Sequence, residues 1–148
     1  MIFKKVTQEK LFQALMCMIN WTKQQQSKVD LFNPYSSWSK EYATVRFSVS
    51  RQSGHTTFAI KLLTKVLKNS VLLYPNEHLY RHILNDLAPY FKARVATINT
   101  LERFLGIEVE AVIIDCASFV SEKKEKEIYK FFQKYYVSSP NFIFIFLE

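Results

Sequence analysis

Glycine, cysteine and long apolar segments are all scarce in this chain. Its 148 residues include two glycines, Gly54 and Gly106, where average usage would give about ten. The two cysteines, Cys17 and Cys116, are too few for a disulfide framework or a zinc site. No apolar run approaches the roughly 20 residues needed to cross a bilayer, and the start of the chain lacks a signal-peptide pattern. We therefore expect a cytoplasmic protein with reduced thiols and no membrane association.

The chain length limits the number of domains, and the net charge limits the kinds of partner. A chain of 148 residues has the size of one domain, and we predict a single domain over residues 1–148, with an N-terminal helix and connection over 1–42 and a core over 43–148. The net charge of +7 is concentrated in residues 1–108. A basic surface favours nucleic acid as a partner, although moderate net charge also simply keeps a protein soluble.

Hydrophobic periodicity alternates between strand-like and helix-like segments. Strand patterns lie at 43–49, 71–74, 94–98, 108–115 and 141–148, and helical patterns lie at 8–24, 58–68, 76–88 and 121–136. Residues 27–40 contain Pro, Asn and Ser breakers and are predicted to be irregular. Alternating strands and helices, with continuous apolar strands, predict an α/β three-layer sandwich with a mainly parallel five-stranded sheet.

The segment SRQSGHTT, residues 50–57, joins a predicted strand to a predicted helix. A phosphate-binding loop requires a glycine-containing turn at such a place, a lysine for the terminal phosphate and a hydroxyl for Mg²⁺. Gly54 and Thr56 meet two of these demands, but His55 stands at the lysine position and Val49 at the usual first glycine. Taken alone, the segment is better explained as a structural turn between a strand and a helix.

A second segment, VIIDCASF at residues 112–119, has the form of a Walker B strand. In that motif an aspartate at the end of an apolar strand orients Mg²⁺, and a following glutamate commonly activates water. Asp115 holds the first position, whereas Cys116 holds the second.

In this order, the two segments resemble the variant Walker A and Walker B motifs of phage large terminases, which often read S-R-Q-x-G-K-T-T and apolar-D-E-A-x-F. The resemblance covers roughly residues 43–148 and implies a RecA-like P-loop NTPase core that binds ATP and Mg²⁺. It also implies a phage or viral protein that handles DNA, by packaging or a helicase-related activity, in the host cytoplasm. The implied nucleotide-binding residues are Arg51, Gln52, Ser53, Gly54, His55, Thr56 and Thr57, and the implied Mg²⁺ ligands are Thr56 and Asp115.

Two departures from the terminase pattern bear on catalysis. His55 is mostly neutral at neutral pH and weakens phosphate binding, which Arg51 partly restores. Cys116 lacks the carboxylate that polarises water, so hydrolysis is expected to be weak or absent. Three interpretations stay open: a weakly hydrolysing nucleotide-binding domain, a catalytically dead fold used as a protein-interaction or regulatory module, and an ATPase completed by an acid from another subunit.

Overall fold

The computed structural model describes residues 2–26, 43–48, 55–136 and 142–148, with residues 2–7 and His55 described by their backbone alone. The main helices and strands, in chain order, are α1 (Ile2–Gln26), β1 (Thr44–Phe47), α2 (His55–Lys61), β2 (Ser70–Tyr74), α3 (Glu77–Leu84), α4 (Pro89–Lys92), β3 (Val95–Thr97), β4 (Ala111–Ile114), α5 (Glu122–Tyr135) and β5 (Ile143–Leu147). A π-helical turn, Leu62–Val66, extends α2, and short 3₁₀ turns lie at Leu101–Phe104 and Ala117–Phe119.

All five strands pair in parallel, in the order β1-β5-β4-β2-β3. The central strands β2, β4 and β5 are buried at every residue, which explains why their sequences are almost continuously apolar. The prediction of a mainly parallel five-stranded α/β sheet is therefore confirmed. Among the described residues, no helix has both the length and the apolar character that spanning a bilayer requires.

Helices cover both faces of the sheet and give three layers. On one face, here called the α2 face, α1, α2 and α3 contribute Leu15, Ile19, Phe58, Leu62 and Ile83 to the core. On the other face, here called the α5 face, the core includes Ile128 and Phe132 from α5 and Phe104 from the 3₁₀ turn before β4. Successive apolar residues of β2, β4 and β5 alternate between these two clusters, as the pleat requires.

The chain leaves neighbouring strands towards opposite faces of the sheet. Helix α3, which follows β2, contributes to the core on the α2 face, whereas α5, which follows β4, packs on the α5 face. Strands β2 and β4 are direct neighbours. In open parallel sheets this arrangement creates a crevice outside the carboxyl ends of the strands, where ligands commonly bind.

The element boundaries follow local chemistry. Asn76 caps α3 by accepting a hydrogen bond from the Leu79 N–H at 3.0 Å. Pro89 begins the short helix α4, where its fixed φ is tolerated. The helix predicted at 58–68 begins earlier, at His55, and the strand predicted at 108–115 narrows to Ala111–Ile114. The predicted irregular connection at 27–40 lies outside the described residues.

The edge strand β1 is held by a charged group on the α5 face. Arg46 pairs with Glu125 of α5 and with Glu148, 2.8 Å away, and its guanidinium lies 4.3 Å from the centre of the Phe146 ring. Beside it, the Thr44 and Tyr129 hydroxyls lie 2.8 Å apart. These contacts join β1 to α5 and to the end of the chain.

Candidate functional site at the carboxyl edge of the sheet

Asp115 lies immediately after β4, at the carboxyl edge of the sheet, and is fully buried. Its backbone N–H donates to the Leu73 carbonyl at 3.1 Å, which continues the pairing with β2. Its carboxylate accepts two hydrogen bonds: Oδ1 from the Cys116 N–H at 2.8 Å, and Oδ2 from the Thr56 hydroxyl at 3.0 Å. The carboxylate is therefore fixed in place by the turn that follows it and by α2.

Thr56 comes from the first turn of α2, 59 residues before Asp115 in the chain. Its side chain reaches the carboxylate although the residue itself is exposed. Because β5 lies between β1 and β4 in the sheet, the helix that follows β1 must extend over the carboxyl edge for this contact to form. The ends of the two sequence motifs thus meet at one edge of the sheet.

The other residues implied as nucleotide ligands are only partly described. Arg51, Gln52, Ser53 and Gly54 lie outside the described residues, and His55 is described by its backbone as the first residue of α2. Thr57 is exposed on the same turn as Thr56. The structure brings Thr56 and Asp115 together, and the remaining assignments stay predictions.

The charge of Asp115 is not balanced by any ion pair within the described part of the chain, where the ion pairs involve other carboxylates. No group of three or more His, Cys, Asp or Glu side chains in this part could hold a metal ion by itself. Magnesium is commonly held by one or two carboxylates, with waters and substrate phosphates completing six ligands. One carboxylate and one hydroxyl, as supplied by Asp115 and Thr56, fit that mode of binding.

Cys116 adopts a left-handed conformation, with φ 54° and ψ 40°, that turns the chain sharply after β4. This turn places its N–H against the Asp115 carboxylate. Burial and the neighbouring Asp115 charge raise the pKa of the half-buried thiol to about 11. The side chain is therefore a neutral thiol at neutral pH and cannot serve there as a general base.

Tyr74, the last residue of β2, is a member of this site that the sequence did not reveal. The pairing of Leu73 with Ile114 places the next residues, Tyr74 and Asp115, side by side. Tyr74 is 2% exposed, and its hydroxyl has no hydrogen-bond partner in the described part of the chain. Burial raises the pKa of Tyr74 well above its ordinary value, so the phenol is neutral. The Asp115 charge, and an interaction of the hydroxyl with the Asp115 carboxylate that falls outside hydrogen-bond geometry, raise this pKa further. The only sign of its role in the sequence was a tyrosine, with its hydroxyl, as the last residue of an otherwise apolar strand.

No family model, no curated protein and no solved structure matches this chain. The site therefore consists of four groups. They are the buried carboxylate of Asp115, the Thr56 hydroxyl bonded to it, the neutral thiol of Cys116 and the neutral phenol of Tyr74.

A cavity of about 260 Å³ lies at the opposite, amino edge of β2. Its lining includes the basic residues Lys65, Lys68 and Arg94 and the aromatic residue Tyr90. The Arg94 guanidinium donates to the carbonyls of Ser70 and Glu108, and it lies 5.6 Å from the centre of the Tyr90 ring. Tyr90 is 64% exposed, so one face of this cavity offers an aromatic ring beside cationic side chains.

Proposed function

We propose that this chain is a P-loop-type nucleotide-binding domain with a RecA-like core, which binds ATP with Mg²⁺ weakly and hydrolyses it very slowly or not at all. The observation that supports this function most directly is the 3.0 Å hydrogen bond from the Thr56 hydroxyl to the Asp115 carboxylate. A hydroxyl in the first helical turn after a phosphate loop and an aspartate ending a buried strand are the two protein groups that hold Mg²⁺ in such sites.

The position of this contact in the sheet agrees with the proposal. Thr56 and Asp115 lie at the carboxyl edge, where the chain leaves neighbouring strands towards opposite faces. The N-terminus of a helix at this edge directs backbone N–H groups towards an anion. Residues 50–54, which carry Gly54, connect β1 to that helix in the sequence.

Slow hydrolysis follows from the groups around Asp115. A catalytic base next to it would normally be a carboxylate, and Cys116 offers a protonated thiol instead. Glu110 precedes β4, so it lies at the amino edge of the sheet, a strand length from Asp115. General-base assistance is typically worth about 100- to 10,000-fold in rate, so its loss predicts turnover near background.

Calorimetry with ATP and ADP, with and without Mg²⁺, tests binding. We expect nucleotide to bind in a Mg²⁺-dependent manner at millimolar concentrations, and Thr56→Ala and Asp115→Asn to abolish the Mg²⁺ dependence. Thr64→Ala, in the π-helical turn that extends α2, serves as the matched control, because its hydroxyl is bonded to the Ile60 carbonyl. A nucleotide at ten times its Kd stabilises the folded state by about 1.4 kcal/mol. If wild-type protein shows neither heat nor a thermal shift with either nucleotide, the proposal is wrong.

The combined variant His55→Lys with Cys116→Glu tests whether the site is otherwise complete. It restores the two residue types that P-loop ATPases use at these positions. We expect phosphate release above the wild-type rate, and this gain should disappear when Thr56→Ala is added. Hydrolysis that persists with Thr56→Ala would indicate contamination or a different site.

Nucleic acid is the second ligand that we propose, and the cavity at the amino edge of β2 supports it. Lysine and arginine side chains neutralise phosphates, while an exposed tyrosine can stack on a base. Binding of a labelled single-stranded DNA at several salt concentrations tests this. Lys65→Glu with Lys68→Glu should weaken binding and flatten its salt dependence, whereas Lys130→Glu with Lys134→Glu on α5 is the charge-matched control. Equal losses in both variants would indicate a general charge effect only.

A protein-interaction module is the alternative function, and exposed apolar side chains favour it. Met18 and Trp21 of α1 are 38% and 62% exposed, and Phe119, close to the candidate site, is 68% exposed. Exposed large apolar groups commonly mark contact surfaces. Sedimentation of the wild type and of Trp21→Ser and Phe119→Ser tests self-association. If the wild type is monomeric at high concentration, these residues do not form an interface between copies of this chain.

A further inference from the structure

The Tyr74 hydroxyl is an unexplained polar group in the core. It is almost completely buried, and it makes no hydrogen bond within the described part of the chain. Most buried hydroxyls in folded proteins have a partner, and those without one commonly face an unplaced water or ion. The hydroxyl is therefore a place in this core where a water or a ligand atom would complete a hydrogen bond.

The neighbours of the hydroxyl restrict what that atom can be. Asp115 lies next to Tyr74 across the pairing of β2 with β4, so the carboxylate and the phenol belong to the same edge of the sheet. Each oxygen of Asp115 accepts one hydrogen bond, from Thr56 or from the Cys116 N–H, and the Tyr74 hydroxyl is not in hydrogen-bond geometry with either oxygen. A neutral phenol can donate one hydrogen bond and accept others, but it is a poor direct ligand for a hard cation.

We propose that Tyr74 is a positioning residue whose hydroxyl forms a hydrogen bond with a water molecule of a hydrated divalent cation held at Thr56 and Asp115. This inference rests on the proposed nucleotide-binding function. Magnesium loses its waters reluctantly and usually keeps several when bound to protein. A water on the cation donates to the phenol oxygen, and the phenol thereby orients the hydrated ion without replacing a ligand.

Groups that contact the waters or ligands around a metal commonly contribute 10- to 100-fold to its affinity. We therefore expect Tyr74→Phe to raise the Mg²⁺ concentration for half-maximal nucleotide binding by about tenfold. Nucleotide affinity at saturating Mg²⁺ should change little, because the phenol does not contact the nucleotide itself.

Removal of the hydroxyl should not destabilise the ligand-free protein, because it removes a polar group that lacks a partner. Tyr129→Phe is the matched control: Tyr129 is also buried, but its hydroxyl is bonded to Thr44 on the α5 face. We expect Tyr129→Phe to lower the Tm by about 2–4 °C and to leave the Mg²⁺ dependence unchanged.

The experiment is a Mg²⁺ titration at fixed ATP, monitored by calorimetry, for wild type, Tyr74→Phe and Tyr129→Phe. Thermal unfolding of each protein is measured separately without nucleotide. A tenfold shift in Tyr74→Phe alone, with an unchanged or raised Tm, is the expected result. An unchanged Mg²⁺ midpoint in Tyr74→Phe overturns the positioning role and leaves the proposed function intact. A lowered Tm in that variant also overturns the role, because the hydroxyl is then a structural partner of Asp115. Absence of Mg²⁺-dependent binding in wild type refutes the proposed function itself.

Discussion

The contact between Thr56 and Asp115 can be measured in solution without any nucleotide. Thr56→Val removes the hydroxyl and keeps the branched shape of the side chain, and Asp115→Ala removes the acceptor. Each change alone carries further costs, because Asp115→Ala also frees the Cys116 N–H and opens space in a buried site. A double-mutant cycle cancels those costs and leaves the energy of the interaction between the two side chains.

The size of the coupling follows from the structure. A hydrogen bond to a charged group contributes about 1.5–3 kcal/mol to stability. Thr56 is an exposed residue, so water replaces part of the lost interaction. We therefore expect a coupling free energy of about 1 kcal/mol, close to a 2–4 °C difference in Tm for a chain of this size.

Urea unfolding of wild type, both single variants and the double variant gives the coupling directly. Thr57→Val combined with Asp115→Ala is the control pair, since Thr57 is exposed one residue further along α2. Independent residues add to within about 0.3–0.5 kcal/mol. If Thr56 and Asp115 are additive to that precision, the two motifs do not meet as described, and the proposed cation site loses its main support.

Three further predictions concern single residues. Asn76→Ala removes the cap of α3 and should lower the free energy of unfolding by about 1 kcal/mol; an unchanged urea midpoint would show that water replaces the cap. Arg46→Ala should cost about 1 kcal/mol through loss of its two glutamate partners and its ring contact, and this cost should shrink in high salt; a salt-independent cost would assign it to packing. Because its pKa is raised to about 11, Cys116 in a Cys17→Ser background should be alkylated at a rate that still rises above pH 10. An alkylation rate that reaches a plateau by pH 9 would mean that burial and Asp115 do not raise the pKa of the thiol.

The fold was predictable where one local signal was sufficient. Strands β2, β4 and β5 are apolar throughout because both faces of the sheet are covered. The π-helical turn Leu62–Val66 and the 3₁₀ turn Leu101–Phe104 were not predicted, since such segments depend on how neighbouring elements pack. The strand order was not predictable either: alternation of strands and helices predicts a parallel sheet, but it leaves open which strands become neighbours.

The candidate site likewise contains residues that local sequence predicts and one residue that it does not. Thr56 and Asp115 belong to short motifs whose chemistry can be read from adjacent residues, and the structure brings them together. Tyr74 is part of the site only because β2 pairs with β4 in a register that sets it beside Asp115. That register depends on contacts between residues about 40 positions apart in the chain, and no pattern around Tyr74 records it.

Under the proposed function, Cys116 explains how nucleotide binding could persist without hydrolysis. Its contribution to the Asp115 carboxylate is made by a backbone N–H, which residues other than proline supply. Its left-handed conformation costs a side-chain-bearing residue about 1–2 kcal/mol, so the turn is maintained by the surrounding packing and not by a preference of cysteine. The hydrogen bond that orients the carboxylate is thus independent of the side chain at position 116, whereas activation of water depends on it. Under the proposed function, a chain that keeps this turn but has a thiol in place of a carboxylate would still hold the cation through Asp115 and Thr56, and would lack the group that activates water for hydrolysis.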